Sequence, residues 1–196
     1  MYVKKVCLLL LNGFEALEAS VFTDVLGWNL FEGDGSTEVV TVGTREQLKC
    51  TWNFTVIPEK RLEEVSVKDF DALAIPGGFE EAGFYEDGFR EEVMAFIRQF
   101  DQQGKLIATV CVASLLLGHS GVLMGRNGTT YNLNNLKRQH QLASYGVNVL
   151  GDQSIVVDKN IITSFNPSTA MDVAFLLLEK LTNKQNCNKV KHLMGF

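Results

Sequence analysis

Residues 105–118 read KLIATVCVASLLLG, an apolar stretch with a single cysteine, Cys111, in its middle. Residues 105–110 have the continuous hydrophobicity of a strand that is covered on both faces, and residues 112–117 favour a helix that stops at Gly118. Cys111 therefore falls between a strand and a helix. A sharp turn at such a junction, a nucleophile elbow, presents its side chain above the edge of the sheet.

Cys111 has two interpretations on these grounds. Thr109 and Ala113, two positions to either side, are small, but they are not the glycines that elbows usually carry there. Free cysteine is among the most buried residue types, so packing alone explains the residue about as well as reactivity does. A thiol at a helix N-terminus, however, has its thiolate stabilised by the helix dipole and by free backbone amides.

The rest of the chain alternates short apolar strands with helical patterns, which predicts an α/β fold with a mostly parallel central sheet. Further strands are predicted over residues 3–11, 37–42 and 71–75, and in part of 125–133. Residues 50–57 are predicted as a strand or a hairpin arm, and residues 154–165 as a hairpin that turns near 158–160. Helices are predicted over residues 17–28, 89–100, 170–181 and 184–193, and Asn166 and Pro167 mark the start of the third.

The composition restricts the class of protein. A chain of 196 residues, 46% hydrophobic and 21% charged, is typical of one globular domain, which we expect to span residues 1–196. The net charge of −5 argues against nucleic acid or an anionic membrane as partner. The apolar residues 6–11 are too few for a signal peptide, and no run reaches the ~20 residues of a membrane span. We therefore expect a cytoplasmic protein.

The cysteines give no sign of a metal site. The chain has four of them, Cys7, Cys50, Cys111 and Cys187, which are far apart, form no C-x-x-C motif and have no histidine at ligand spacing. In a reducing compartment, free thiols are the expectation. We predict that the protein binds no metal ion.

Two more features fall at strand ends, where ligands bind in open α/β sheets. Gly77 and Gly78 follow the strand at 71–75 and form either a plain tight turn or an oxyanion pocket, because glycine lets backbone N–H groups approach a ligand closely. Glu18 follows the first strand, in a helical turn where the dipole favours a carboxylate in any case. Neither feature alone separates function from local structure.

Together, however, these segments resemble a family. The stretches KKVCLLLLNGFEALEASVFTDVL (4–26), DALAIPGG (71–78), LIATVC (106–111) and NIITSFNPSTAMDVAFLLLEKL (160–181) are similar, in order, to those of the ThiJ/PfpI superfamily. The resemblance implies a flavodoxin-like three-layer α/β/α sandwich, related to the class I glutamine amidotransferase fold. It also implies a reactive Cys111, a partner glutamate at Glu18 and oxyanion-binding amides at Gly77, Gly78 and Val112.

The chain departs from that superfamily at its histidines. Members described as peptidases or glyoxalases usually bring a histidine to the cysteine, directly after it or in a later TTxx segment, and Val112 and Tyr131 occupy those places here. His119 lies eight residues after Cys111, roughly 12 Å along a helix, and cannot reach the thiol. His140 and His192 lie in polar stretches. Peptidase and amidotransferase chemistry are therefore disfavoured.

The resemblance implies a cysteine-dependent lyase or hydrolase for a small electrophile, such as the 2-oxoaldehyde methylglyoxal, its adduct or an isonitrile. A protonated Glu18 donates a hydrogen bond to the Cys111 thiolate and lowers the cysteine pKa, and the thiolate adds to carbonyl carbons. Tyr131 provides a polar wall, and no metal or organic cofactor is needed. Phe14 and Phe165 map near strand ends, where we expect them to form an aromatic wall, with packing in the core as the alternative. The alternative is a non-enzymatic stress protein or chaperone, with Cys111 as an oxidation sensor.

Trp28, Leu30 and Phe31 cluster where the first helix is predicted to end. A helix that serves one sheet needs only one apolar stripe, so this surplus either covers the edge of the core or is buried across a two-fold interface. Superfamily relatives commonly form homodimers with their active sites close to the contact. We therefore expect a homodimer that takes a small-molecule substrate.

Overall fold

The structure is a computed structural model that describes residues 2–196. Its strands are β1 (Lys4–Leu10), β2 (Thr37–Gly43), β3 (Leu48–Lys49), β4 (Thr55–Val56), β5 (Lys60–Arg61), β6 (Ala72–Ile75), β7 (Leu106–Thr109), β8 (Asn127–Gly128), β9 (Asn148–Val149), β10 (Ile155–Asp158) and β11 (Ile161–Ser164). Its α-helices are α1 (Ala16–Glu32), α2 (Phe84–Gly88), α3 (Glu91–Gln102), α4 (Ser114–Ser120), α5 (Lys137–Ser144), α6 (Ala170–Leu181) and α7 (Lys184–Met194).

Seven strands form one sheet in the order β10-β11-β7-β6-β1-β2-β5. Each neighbouring pair is parallel except the β10–β11 hairpin at one edge. Helices cover both faces, with α1, α6 and α7 packed together and α3 against α4. The predicted flavodoxin-like sandwich with a mostly parallel sheet is confirmed.

The strand order creates a crevice at the carboxyl ends of the central strands. After β1 the chain builds β2 and β5 on one side, then returns to the other side of β1 to form β6 and β7. At such a reversal the loops leaving two adjacent strands diverge, and the gap between them is where open α/β sheets bind ligands. Here the gap lies beyond the carboxyl ends of β1, β6 and β7.

The helix after Cys111 extends further than predicted. It ends at Gly121, which has φ +88°, whereas Gly118 lies inside α4. A Cβ atom on Gly118 would lie 2.7 Å from the Tyr145 ring and 2.9 Å from Leu142. Gly118 therefore allows α4 to pack closely against the segment that contains α5, and it does not terminate the helix.

Two other segments differ from the sequence expectation. Residues 50–57 were expected to form a strand or the arm of a hairpin. Thr55–Val56 is such an arm, pairing with Leu48–Lys49 in a small hairpin outside the main sheet, but the rest of the segment is not a strand. Trp52 and Phe54 are exposed there, so no core burial extends the strand. Around His140 the chain forms α5, which a pattern search misses because only Gln139 and Leu142 are buried.

Helix α1 is also rotated relative to the predicted apolar stripe. Val21 and Val25 are buried as expected, but Leu17 and Trp28 are exposed, and Phe22 and Leu26 complete the inner face. No described helix has the length and hydropathy that crossing a membrane requires.

Candidate active site

Cys111 lies two residues after the end of β7, on a strained turn. Its φ is +56°, a left-handed conformation that costs a residue other than glycine roughly 1–2 kcal/mol. The turn is held from two sides, because Thr130 Oγ1 donates a hydrogen bond to the Cys111 carbonyl at 2.9 Å and Val110 N donates to the Ile75 carbonyl at 3.3 Å. A short 3₁₀ turn, Cys111–Ala113, then leads into α4. This is the geometry of a nucleophile elbow.

Glu18 reaches the same point from the first turn of α1. Its side chain is 0% exposed, and Oε2 accepts a hydrogen bond from Gly77 N at 2.6 Å. Oε1 is buried without a hydrogen-bond partner among the described residues, and the carboxyl group lies against the Cys111 thiol. Burial, together with the nearby Glu15 carboxylate, raises the pKa of Glu18 from 4.5 to about 8. The Glu18 carboxyl is therefore mostly protonated at neutral pH.

The pKa of Cys111 depends on the state of Glu18. Burial raises the pKa of the Cys111 thiol, and an ionised Glu18 raises it further, whereas the Val112 backbone N–H lowers it. When Glu18 is protonated, its carboxyl proton can be donated to sulfur, which reverses the sign of its effect. The two groups therefore titrate as a pair. In the free protein, burial opposes the low cysteine pKa that was expected from the sequence.

Gly77 and Gly78 are required by close approach of the backbone. A Cβ atom on Gly77 would lie 2.8 Å from Glu18 Oε2 and 3.0 Å from Cys111 Cβ, and one on Gly78 would lie 2.3 Å from the Gly13 carbonyl oxygen. The Gly77 N–H donates to Glu18, so it is not free to bind an oxyanion, contrary to the expectation. Gly78 and Val112 remain beside the cavity with their amides.

A cavity of about 590 Å³ opens above Cys111, a size that suits a small molecule. Its wall includes four predicted residues or their neighbours, namely Gly78, Phe79, Val112 and Tyr131. Tyr131 is half-buried and occupies the place where a histidine was sought. The cavity therefore joins the thiol, backbone amides and an aromatic wall.

Phe14 and Phe165 are not part of that wall, contrary to the expectation. Both are buried. Phe14 forms an isolated bridge with Gly78 and supports the turn from behind, and Phe165 donates its N–H to the Ser154 carbonyl. Both residues follow strands, as predicted, but their side chains are buried in the core.

No histidine lines the cavity among residues 2–196. The His119 ring packs against Phe89 at 4.5 Å and Tyr145 at 5.5 Å between centroids, and His140 and His192 are exposed. The sequence interpretation that no histidine reaches Cys111 agrees with this placement.

The cavity wall also includes residues to which the sequence assigned no role, among them Glu15, Tyr85 and Arg138. Arg138 donates to Glu80 at 2.7 Å and lies 4.9 Å from the centroid of the Tyr85 ring. Only Glu15 had a detectable signal, since it precedes Glu18 by three positions and so lies near it at the start of α1. Tyr85 and Arg138 come from helices whose neighbours only the fold defines.

Among the described residues, no three histidine, cysteine or acidic side chains are grouped so that they could hold a metal ion. The four cysteines are free thiols, and all are buried. Cys111 alone among them lies on the cavity wall. The arrangement is thus a buried thiol–carboxyl pair that opens to a small, partly aromatic cavity.

Comparison with known proteins agrees with this architecture. The model of the DJ-1/PfpI family matches residues 4–180. Protein dj-1beta of Drosophila melanogaster is 28% identical over 187 residues, which cover 95% of this chain and 94% of that protein. Its crystal structure superimposes with a TM-score of 0.85 at 27% identity, covering 98% of this chain and 97% of that one.

Two further relatives have names that state an activity. The glutathione-independent glyoxalase DJR-1.2 of Caenorhabditis elegans is 26% identical over 193 residues, 97% of this chain and 96% of that protein. The deglycase PfpI of Pyrococcus furiosus is 31% identical over 114 residues, 58% of this chain and 64% of that protein.

Proposed function

Because this chain belongs to the DJ-1/PfpI family, we propose that it is a cysteine-dependent lyase or hydrolase for a small carbonyl electrophile, with the cytoplasm as its compartment. Cys111 is the nucleophile and Glu18 its acid–base partner. The observation that carries the proposal is the buried pair of Cys111 and Glu18 at the base of the cavity, with Glu18 anchored to the Gly77 amide at 2.6 Å. The substrate class is a 2-oxoaldehyde such as methylglyoxal, or its adduct.

The pair supplies the nucleophile and the nearby proton that addition to an aldehyde requires. The sulfur of Cys111 forms a bond to the aldehyde carbon as the carbonyl π bond opens, and the thiol proton passes to the carbonyl oxygen, giving a hemithioacetal. Glu18, protonated at neutral pH, keeps a proton beside the sulfur throughout. The amides of Gly78 and Val112 stabilise the developing oxyanion. Tyr131 offers a hydroxyl to the second carbonyl oxygen of the substrate.

The cavity limits what reaches the thiol. Cys111 is only 6% exposed, and the space above it is about 590 Å³, so a folded protein cannot present a peptide bond to the sulfur. An isonitrile is small enough to enter as well. The names of two relatives, a glyoxalase and a deglycase, favour the 2-oxoaldehyde over the isonitrile.

The second candidate function is oxidation sensing without turnover. One observation favours it, since Glu18 Oε1 has no partner within residues 2–196 and is placed to donate a hydrogen bond to an oxygen added to the Cys111 sulfur. In that case the Cys111 thiol is oxidised, and the protein acts as a homodimeric, stress-responsive chaperone.

Turnover separates the two functions. We expect purified protein to convert methylglyoxal to lactate, and Cys111→Ser to abolish the conversion while preserving the fold. Cys187→Ser is the matched control, because Cys187 is buried against the Phe175 carbonyl and away from the cavity. Activity that survives Cys111→Ser contradicts the enzyme proposal. Absence of turnover in the wild type, with oxidation confined to Cys111, supports the sensor instead.

A further inference from the structure

Conversion of a 2-oxoaldehyde to a 2-hydroxy acid needs a base that the Cys111–Glu18 pair does not provide. After the hemithioacetal forms, the hydrogen on the sulfur-bearing carbon has to leave, and a hydrogen has to arrive on the neighbouring carbon. Glu18 is fully buried, its Oε2 accepts the Gly77 amide, and at neutral pH it already holds a proton beside the Cys111 sulfur, so it is not available to take one from carbon. The base therefore has to be another group on the cavity wall.

Glu15 has the position for this role. It is the N-cap residue of α1, and its backbone N–H donates to the Gly77 carbonyl at 2.8 Å, which fixes its main chain beside the turn that carries Gly78. Its side chain lies on the wall of the cavity above Cys111. Its carboxylate is also close enough to raise the pKa of both Glu18 and Cys111.

Apart from a hydrogen bond from the Trp52 indole, the local structure does not use this carboxylate. An acidic N-cap residue normally accepts hydrogen bonds from the first helical amides, but the Glu15 side chain forms none. No ion pair involves it within residues 2–196. Burial raises the pKa of Glu15, and the Trp52 indole lowers it. By contrast, Glu80, another carboxylate on the wall, is paired with Arg138 at 2.7 Å.

We propose that Glu15 is the catalytic base that moves the carbon-bound proton of the hemithioacetal on Cys111. The proposal deepens, and rests on, the 2-oxoaldehyde function proposed above. Glu15 replaces a histidine as the proton carrier of the cavity, while Glu18 remains the partner of the sulfur.

The step balances without an oxidant. The Glu15 carboxylate takes the proton from the sulfur-bearing carbon, and the C–H electron pair forms a C=C bond as the ketone π bond opens. The former ketone oxygen takes a proton from a water molecule in the cavity, which leaves hydroxide and gives an enediol. Glu15 then returns its proton to the former ketone carbon, while the oxygen on the sulfur-bearing carbon gives its own proton to that hydroxide, restoring the water, and becomes a carbonyl. The product is a 2-hydroxyacyl thioester of Cys111, which water hydrolyses to the 2-hydroxy acid and the free thiol.

The test compares turnover of methylglyoxal with alkylation of Cys111 by iodoacetamide. In Glu15→Gln we expect kcat to fall about 100-fold or more, the range lost when a general base is removed. Alkylation of Cys111 should become faster, because removal of the Glu15 charge lowers the thiol pKa. Glu86→Gln removes an exposed carboxylate of α2 that is not on the cavity wall, and should change neither rate.

A purely structural Glu15 would slow both reactions together, so opposite changes support the proposal. Glu15→Asp keeps the carboxylate on a shorter side chain and should therefore retain more turnover than Glu15→Gln. If Glu15→Gln does not fold, Glu15→Asp takes its place in the test. Turnover within tenfold of the wild type in Glu15→Gln overturns the role of Glu15 and leaves the proposed function intact. Absence of Cys111-dependent turnover in the wild type overturns both.

Discussion

At the scale of single residues, the buried carboxyl group of Glu18 controls the chemistry. In the unfolded chain its pKa is near 4.5, and in the folded protein burial raises it to about 8. The folded state therefore holds a proton that the unfolded state has released over this pH range. The same proton is the one that can be donated to the Cys111 sulfur.

This proton predicts a pH-dependent stability. Glu18 contributes most to the free energy of unfolding below pH 4.5. This contribution is lost as the pH rises toward about 8, and the loss amounts to roughly 4 kcal/mol. Glu18→Gln removes the ionisation but not the hydrogen-bonding shape. The free energy of unfolding in urea should therefore fall less between pH 5 and pH 8 in Glu18→Gln than in the wild type. Parallel pH profiles would show that Glu18 is ionised in the folded protein.

At the scale of elements, turns with restricted backbone angles fix the cavity. Cys111 adopts a left-handed φ only because β7, α4 and the segment that carries Thr130 hold it there. The glycine turn after β6 brings Gly77 within hydrogen-bond distance of Glu18 in α1. The catalytic groups thus come from the ends of three neighbouring strands, and the rigidity of the sheet sets their separation.

Two glycines in helical segments predict opposite effects of the same substitution. Gly27 lies within α1, and no atom lies within 4 Å of the position that a Cβ would take, so Gly27→Ala should stabilise the protein by about 0.5–1 kcal/mol. Gly121 ends α4 with φ +88° and is equally unobstructed, so Gly121→Ala should destabilise it by about 1–2 kcal/mol. Urea unfolding measures both. Equal signs would contradict the assignment of Gly121 as the helix terminator.

At the scale of the whole molecule, α1 leaves an apolar surface uncovered near its end. Trp28, Leu30 and Phe31 are exposed, and Phe31 is 84% exposed. Exposed apolar patches of this kind mark interaction surfaces in monomeric proteins. A second copy of the chain is the proposed partner, with a two-fold interface of about 800 Å² on each side.

The dimer predicts a defined sedimentation behaviour. At micromolar concentration the wild type should sediment at about twice the 21.8 kDa chain mass. Phe31→Asp should shift it to the monomer, because the interface would bury an unpaired charge. Asp24→Asn is the control, since Asp24 is exposed on the same helix. A wild-type species of 21.8 kDa would refute the dimer, and Cys111-dependent digestion of a folded protein would refute shielding of the cavity.

The periodicity of the sequence was sufficient for the architecture. Strand and helix patterns are local, so β1, β6, β7 and the β10–β11 hairpin were predicted close to their final bounds. The strand–cysteine–helix junction at Cys111 is local as well. Helix α5 was missed because it has few buried positions, and α4 was predicted too short because a packing glycine resembles a terminating one.

The sequence by itself determined the α/β class, the elbow at Cys111 and, through the family resemblance, its pairing with Glu18. Only the tertiary structure decided that the Gly77 amide serves Glu18, that Phe14 and Phe165 lie in the core, and that Glu15 lines the cavity. Gly77 and Glu18 are 59 positions apart. Contacts over such separations depend on strand order and on the rotation of helices against the sheet, and both are set by packing of the whole core rather than by any local pattern.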